Sequence, residues 1–297
     1  MAKVITGDYS YEDNVGSARV KGVPEEQARY IAQRYYRYDR LADTRFDGGD
    51  PMAEEHIRFY KEQGYLVVDN LIGREEVEGA LMEIGDIIHE RLPGPKIQFF
   101  KPVDERWTSE ERELAVRKIY NYVPYAPRLA ALAHHPALVG RVERLLGERA
   151  VLVGEQGLLK PPFGGGEKPW HQDMAYGGLF FKKQIVTVWL ALDEANLENG
   201  GMHIIPRSHL LGGVPHFMIR DWQMCDTHVD VEKDVAVCLK PGGALIFSGL
   251  LQHGTPANFS PFKRRALQFR YAPASVNLMS REEFKRMFTG EMMDAEC

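Results

Sequence analysis

Trp170-His171-Gln172-Asp173 sets a histidine and a carboxylate two residues apart. In an extended chain such positions point to the same side, so both side chains could reach one metal ion. Two histidines and one carboxylate on one face of an octahedral ion leave three positions open, the arrangement of non-haem iron(II) oxygenases. A second histidine is then required, and His253 stands after the apolar run 244–247, at the head of the turn-rich His253-Gly254-Thr255-Pro256. The pair alone is weak evidence, because short histidine–carboxylate spacings arise by chance and most histidines are surface or hydrogen-bonded core residues. The chain carries its own decoy: His228-Val229-Asp230 has the same spacing, within the polar stretch 226–234 that reads as a loop. Spacing does not choose between the two pairs.

Eleven residues after His253, Arg264 opens the run Arg264-Arg265-Ala266-Leu267-Gln268-Phe269-Arg270-Tyr271. Period-two alternation puts Arg264, Ala266, Gln268 and Arg270 on one face and Leu267, Phe269 and Tyr271 on the other. If Leu267 and Phe269 pack beneath helices, the arginine face lines an interior, where a guanidinium can grip a carboxylate bidentately. The alternative is a solvent-facing strand surface. Arg270 lies six residues beyond Arg264, roughly 20 Å along a regular strand, so the two cannot hold the same end of one small molecule. An interior Arg270 therefore needs either an internal acid or an anionic group of a substrate beside it.

The elements that must position these groups divide along the chain. Residues 1–50 read as an N-terminal arm, polar and partly helical, with Ile31, Tyr35 and Tyr38 at roughly helical spacing. Residues 51–297 read as one domain. Within it, 54–63 is a helix ended by Gly64, 65–68 a short strand and 74–91 a longer helix. Pro136 fits the first turn of a helix whose stripe Leu138, Val139, Val142, Leu145 and Leu146 runs up to Gly147. From Ala150 the pattern changes to VLVGEQGLL, IVTVWLAL, MHII, VAVCL, ALIF and RRALQFRY, separated by Gly, Pro and Asn. Helices first and many short strands later predict an α+β architecture: a double-stranded β-helix, jelly-roll or cupin-like, with helices covering one face.

Composition bounds the partners. A hydrophobic fraction of 44% and a charged fraction of 27% are those of a globular chain and exclude a disordered or collagen-like one. A net charge of −5 gives no footprint for nucleic acid. No apolar run approaches the ~20 residues that cross a bilayer, and MAKVITGDYSYEDN has no secretory pattern. A cytoplasmic protein with no membrane partner is expected. Cys225, Cys238 and Cys297 lack paired spacing and are expected to be reduced thiols.

Together these residues resemble the phytanoyl-CoA dioxygenase family, which includes ectoine hydroxylase and several natural-product oxygenases. The resemblance spans roughly 118–271 and is carried by KPP at 160–162, WHQD at 170–173, NGGMHIIPRSH at 199–209 and HGTPANFSPFKR at 253–264. It implies a double-stranded β-helix, iron(II) held by His171, Asp173 and His253, and Arg264 on the far carboxylate of 2-oxoglutarate. It also sets the decoy aside, because the family's pair precedes the NGG segment, as His171 does and His228 does not. By the same resemblance Lys118, Gln156, Gln172, Trp189 and Thr255 are co-substrate contacts. Alternation supports Thr255, two residues from His253, and opposes Gln172, which it turns away from His171 and Asp173. One departure is Arg207, where the family has glycine in its turn.

The implied activity consumes 2-oxoglutarate and O2, releases succinate and CO2, and hydroxylates a C–H bond. Retention of Asp173 argues against halogenation, which replaces this carboxylate with a small residue. A zinc or manganese cupin-like isomerase or hydrolase is the alternative, with a catalytically silent binding relative a third reading. The substrate is a small molecule or an acyl thioester, with Arg270, Tyr176 and Lys160 as candidate contacts. The stretch 174–181 and the loop 212–234 are candidates to frame the mouth of the site.

Overall fold

Gly64 and Gly147 stop two helices, Glu54–Gln63 and Pro136–Leu146, by taking left-handed φ values of 87° and 73°. Few residues with a side chain adopt that conformation, and at Gly64 it turns the chain directly into the strand Tyr65–Asp69. The structure is a computed structural model that describes residues 24–176, 180–292 and 295–297. The first 23 residues of the arm and the centre of the 174–181 stretch lie outside the described residues.

Two sheets face each other. The large one has, in spatial order, Arg45–Asp47, Tyr65–Asp69, Ala244–Ser248, Val186–Ala191, Arg264–Pro273, Ala150–Lys160, Val116–Tyr120 and Lys96–Phe99. The small one has Val235–Val237, Met202–Ile204, His253–Thr255 and Lys168–His171. Alternation along Arg264–Pro273 divides the two environments. Leu267, Phe269 and Tyr271 join a core with Ile84, Leu129, Leu138 and Val142 from the covering helices, and the Tyr271 hydroxyl donates to Ala133 O at 2.7 Å. The other face looks toward the small sheet, where Trp189, Leu245, Phe247 and Ala266 pack against Met202, Ile204 and Val237. This is the expected double-stranded β-helix with helices on one face.

Several elements differ from the sequence reading. Lys168–His171 and His253–Thr255 are strands of four and three residues containing Pro169 and Gly254, and their identity comes from pairing with each other. Within the arm, Glu25–Tyr35 is helical, Tyr36 stacks on Trp170 at 5.4 Å, and Arg45–Asp47 pairs in parallel with Tyr65–Asp69. Arg207 keeps the left-handed turn, φ 69°, held by its N–H on Gln63 O at 2.8 Å and its side chain on Glu62 at 3.0 Å.

The reading of all three cysteines as reduced thiols is corrected. Cys225 and Cys297 form a disulfide with their Cα atoms 5.5 Å apart, because the chain's end folds back to the loop that holds Cys225. A separation of 72 residues hides such a pair from any spacing rule. Cys238 is free. No helix among the described residues is long and apolar enough to cross a membrane.

Candidate metal centre

His171 ends one short strand and His253 begins its antiparallel partner, so pairing sets the two histidines directly opposite each other. Their ring centroids lie 4.1 Å apart. Asp173 opens a single 3-10 turn, Asp173–Ala175, which carries its carboxylate back toward the two rings. The three ligand atoms lie within 4.8 Å of one another, and all three residues are buried.

Backbone carbonyls fix the tautomers. His171 Nδ1 donates to Pro169 O at 2.7 Å and His253 Nδ1 donates to Leu251 O at 2.9 Å. Each Nε2 then carries a bare lone pair, and both stand 3.7 Å from Asp173 Oδ1. Outer hydrogen bonds of this kind orient the ligands of metal sites. Asp173 Oδ2 accepts from Thr187 Oγ1 at 2.7 Å and Gln268 Nε2 at 3.2 Å, leaving Oδ1 for the side facing the histidines.

Electrostatics agree with a metal-binding state. Burial, followed by the neighbouring His253, pulls His171 down to about 3, and burial lowers His253 too. Both rings are therefore neutral near pH 7, the form that ligates a metal. Burial alone would raise the Asp173 carboxyl; the adjoining His171 and His253 and the Arg270 guanidinium outweigh that and hold it well below the carboxylate range.

The triad opens into a cleft of about 720 Å³, counting volume open to solvent, within the range of small-molecule sites. Arg264 lines it, 2% exposed, with its guanidinium 5.3 Å above the Trp189 ring. Among the described residues, Arg264 Nε, Arg264 Nη1 and Trp189 Nε1 have no hydrogen-bond partner. The nearby Asp193 is engaged by Arg265, which grips it twice at 2.8 Å. Burial draws Arg264 down to about 9, so it remains charged near neutrality. These unmatched donors, lining the same cleft as the triad, are the fit expected for an acid anchored by its far carboxylate. Thr255, Gln156 and Lys118 also line the cleft.

Two sequence expectations are corrected. Gln172 points away from the cleft: its Nε2 donates to Gly212 O at 2.8 Å and Leu250 O at 2.7 Å, and its Oε1 accepts from Val214 N at 2.9 Å. The alternation that aims His171 and Asp173 inward turns Gln172 outward, where it pins the loop beginning at Gly212. Gln172→Leu is expected to reduce stability by about 2–4 kcal/mol, since three buried bonds are lost, with a 2-oxoglutarate KM within about threefold of wild type. A normal melting curve with a much raised KM would return Gln172 to the co-substrate site. Lys160 lines the cleft, but its Nζ donates to Thr255 O at 3.2 Å and to Pro256 O. Its amine tethers the His253–Thr255 strand and is not available to a substrate.

Tyr176 stands over His171, ring centroids 5.4 Å apart, and its hydroxyl donates to Trp222 O at 2.8 Å and accepts from Lys168. The decoy His228 is exposed, and no metal cluster among the described residues includes it. Residues that sequence reasoning passed over include Thr187, Gln268, Lys168 and Asp221. Alternation gave a signal for the first two, which share faces with Trp189 and Arg264; Lys168 and Asp221 meet at 2.7 Å only through the fold.

Two neutral histidines and one carboxylate on the inner wall of a double-stranded β-helix define a mononuclear metal enzyme of the non-haem oxygenase class. The chain belongs to the phytanoyl-CoA dioxygenase (PhyH) family, whose model matches residues 60–266. It is 25% identical over 245 residues to a probable phytanoyl-CoA dioxygenase of Caenorhabditis elegans, covering 75% of this chain and 76% of that protein. It is 26% identical over 238 residues to ectoine dioxygenase of Streptomyces avermitilis, covering 73% and 78%. Among solved structures, EvdO2 from Micromonospora carbonacea var. aurantiaca complexed with 2-oxoglutarate superposes with TM-score 0.62 at 22% identity, over 78% of this chain and 94% of that one. EctD from S. alaskensis with 2-oxoglutarate and 5-hydroxyectoine gives 0.60 at 21% identity, over 83% and 85%.

Proposed function

We propose that this protein is an iron(II)- and 2-oxoglutarate-dependent dioxygenase that hydroxylates a C–H bond of a small-molecule or acyl substrate. The observation that carries the reading is the conjunction of the triad with the unpartnered Arg264 in one cleft. His171, Asp173 and His253 hold the iron; Thr187 and Gln268 orient Asp173. Arg264 and Trp189 Nε1 receive the far carboxylate of 2-oxoglutarate, with Thr255, Gln156 and Lys118 beside it. When bound, iron, 2-oxoglutarate and O2 supply an oxidative decarboxylation to succinate and CO2 and the oxidising power for the C–H bond. Burial of the triad excludes bulk water. The domain is taken as residues 51–297, preceded by the arm of residues 1–50, whose described part, residues 24–50, packs on it through Tyr36 against Trp170 and through Arg45–Asp47 beside Tyr65–Asp69.

A zinc or manganese isomerase or hydrolase would have no use for a buried guanidinium without a carboxylate, and a silent binder would have no need of all three ligands. The test is succinate formation by protein reconstituted with ferrous iron and 2-oxoglutarate in air, screened over candidate substrates for products gaining one oxygen atom. Succinate that depends on iron and on substrate is expected. Activity with zinc alone, or none with iron, would overturn the reading.

A further inference from the structure

Arg270 is 6% exposed and lines the same cleft, yet among the described residues it forms no ion pair and its Nε has no hydrogen-bond partner. Its backbone pairs with Gly154 on one side and Thr187 on the other. Glycine at 154 leaves room for the guanidinium, since a Cβ there would stand 3.3 Å from Arg270 Nε. Two neighbouring cations of the cleft are matched: Arg117 and Lys168 share Asp221 at 3.0 and 2.7 Å. Arg220, nearby, holds Glu167 and Asp226. Asp173 and Glu155 lie within electrostatic range of Arg270 but form no ion pair with it. A buried guanidinium with no direct counter-charge is unfavourable unless something in the functioning protein supplies one.

That counter-charge is not the co-substrate held by Arg264. Arg264 pairs with Lys160 across the sheet, on the Thr255 side of the triad. Arg270 pairs with Thr187, whose hydroxyl binds Asp173, and so lies on the opposite flank. Six residues of strand, about 20 Å of backbone, separate them, more than a five-carbon diacid anchored at Arg264 and at the metal spans. Phe100, Leu158 and Met202 supply apolar wall.

We infer that the prime substrate is an anionic organic molecule, carrying a carboxylate or phosphate that Arg270 binds while an apolar portion lies over the metal. This rests on the oxygenase reading of the site. A charge-assisted bidentate contact distinguishes an acid from its neutral amide by about ten- to a hundredfold.

The test is calorimetric titration of the anaerobic full-length protein, loaded with ferrous iron and 2-oxoglutarate, with octanoate, octyl phosphate and octanamide. One of the two acids is expected to bind at least about tenfold more tightly than the amide, and which one does so separates carboxylate from phosphate. Arg270→Gln should abolish the preference while iron content and 2-oxoglutarate affinity stay within about twofold, and Arg270→Lys should keep part of it. Equal binding of acid and amide, no saturable binding of either acid, or an undiminished preference in Arg270→Gln would overturn the inference and leave the oxygenase reading standing. Loss of iron from Arg270→Gln with the acid preference intact would also overturn it, making Arg270 a support for the Asp173 carboxylate. Failure of the wild-type protein to take up iron and 2-oxoglutarate would remove both readings.

Discussion

Replacing His171, Asp173 or His253 by alanine is expected to lower iron affinity by at least about a hundredfold and to reduce turnover to background. Loss of a mere outer partner of a metal ligand already costs about ten- to a hundredfold, and here one of three protein ligands is removed. The variants should not be equivalent in stability. Asp173→Ala strands the buried Thr187 hydroxyl and Gln268 amide that now bind its Oδ2. His253→Ala strands only the Leu251 carbonyl, so Asp173→Ala should melt lower. His228→Ala, remote and exposed, should keep its iron. Metal content after reconstitution and thermal melting of the four variants check this; full iron in His253→Ala would mean that the assigned triad is wrong.

Arg264→Leu is expected to raise the KM for 2-oxoglutarate about ten- to a hundredfold, the worth of charge-assisted bonds to a carboxylate. The same substitution should raise the melting temperature of the protein without co-substrate. It replaces a buried charge lacking a protein partner, whose desolvation is already visible in its depressed pKa, with an apolar side chain. Arg265→Leu should do the reverse, sparing the KM while breaking the paired contacts with Asp193 at the rim, which contribute about 0–1 kcal/mol. Steady-state kinetics in 2-oxoglutarate alongside melting curves separate the two; a KM effect larger at Arg265 would mean that the strand register is off by one residue.

The opposite behaviour of these neighbours was legible in the sequence. Period-two alternation from Arg264 to Tyr271 separated the arginine face from the face of Leu267 and Phe269, and left open whether the arginine face lined an interior or met solvent. The same rule pointed Gln172 outward, against the role implied by family resemblance, and the hydrogen bonds of Gln172 follow the alternation. Local rules did not reach the pairing of His171 with His253. The two strands are too short and too rich in Pro and Gly to carry a pattern, and they exist as strands because each supplies the other's hydrogen bonds. Nothing local chose His171 over His228 either; the resemblance did. The Cys225–Cys297 bridge and the Lys168–Asp221 contact were hidden for a related reason: both join segments far apart in sequence through loops with no periodicity.

Binding of 2-oxoglutarate under anaerobic conditions, with and without ferrous iron, bears most directly on the proposed chemistry. In wild-type protein the affinity should rise at least about tenfold when iron is present, because the acid would then be held at both its ends. The gain should vanish in His253→Ala, and in Arg264→Leu affinity should fall while the gain from iron persists. Equal affinity with and without iron in the wild-type protein would contradict the account, since the triad and Arg264 would then not serve one bound molecule.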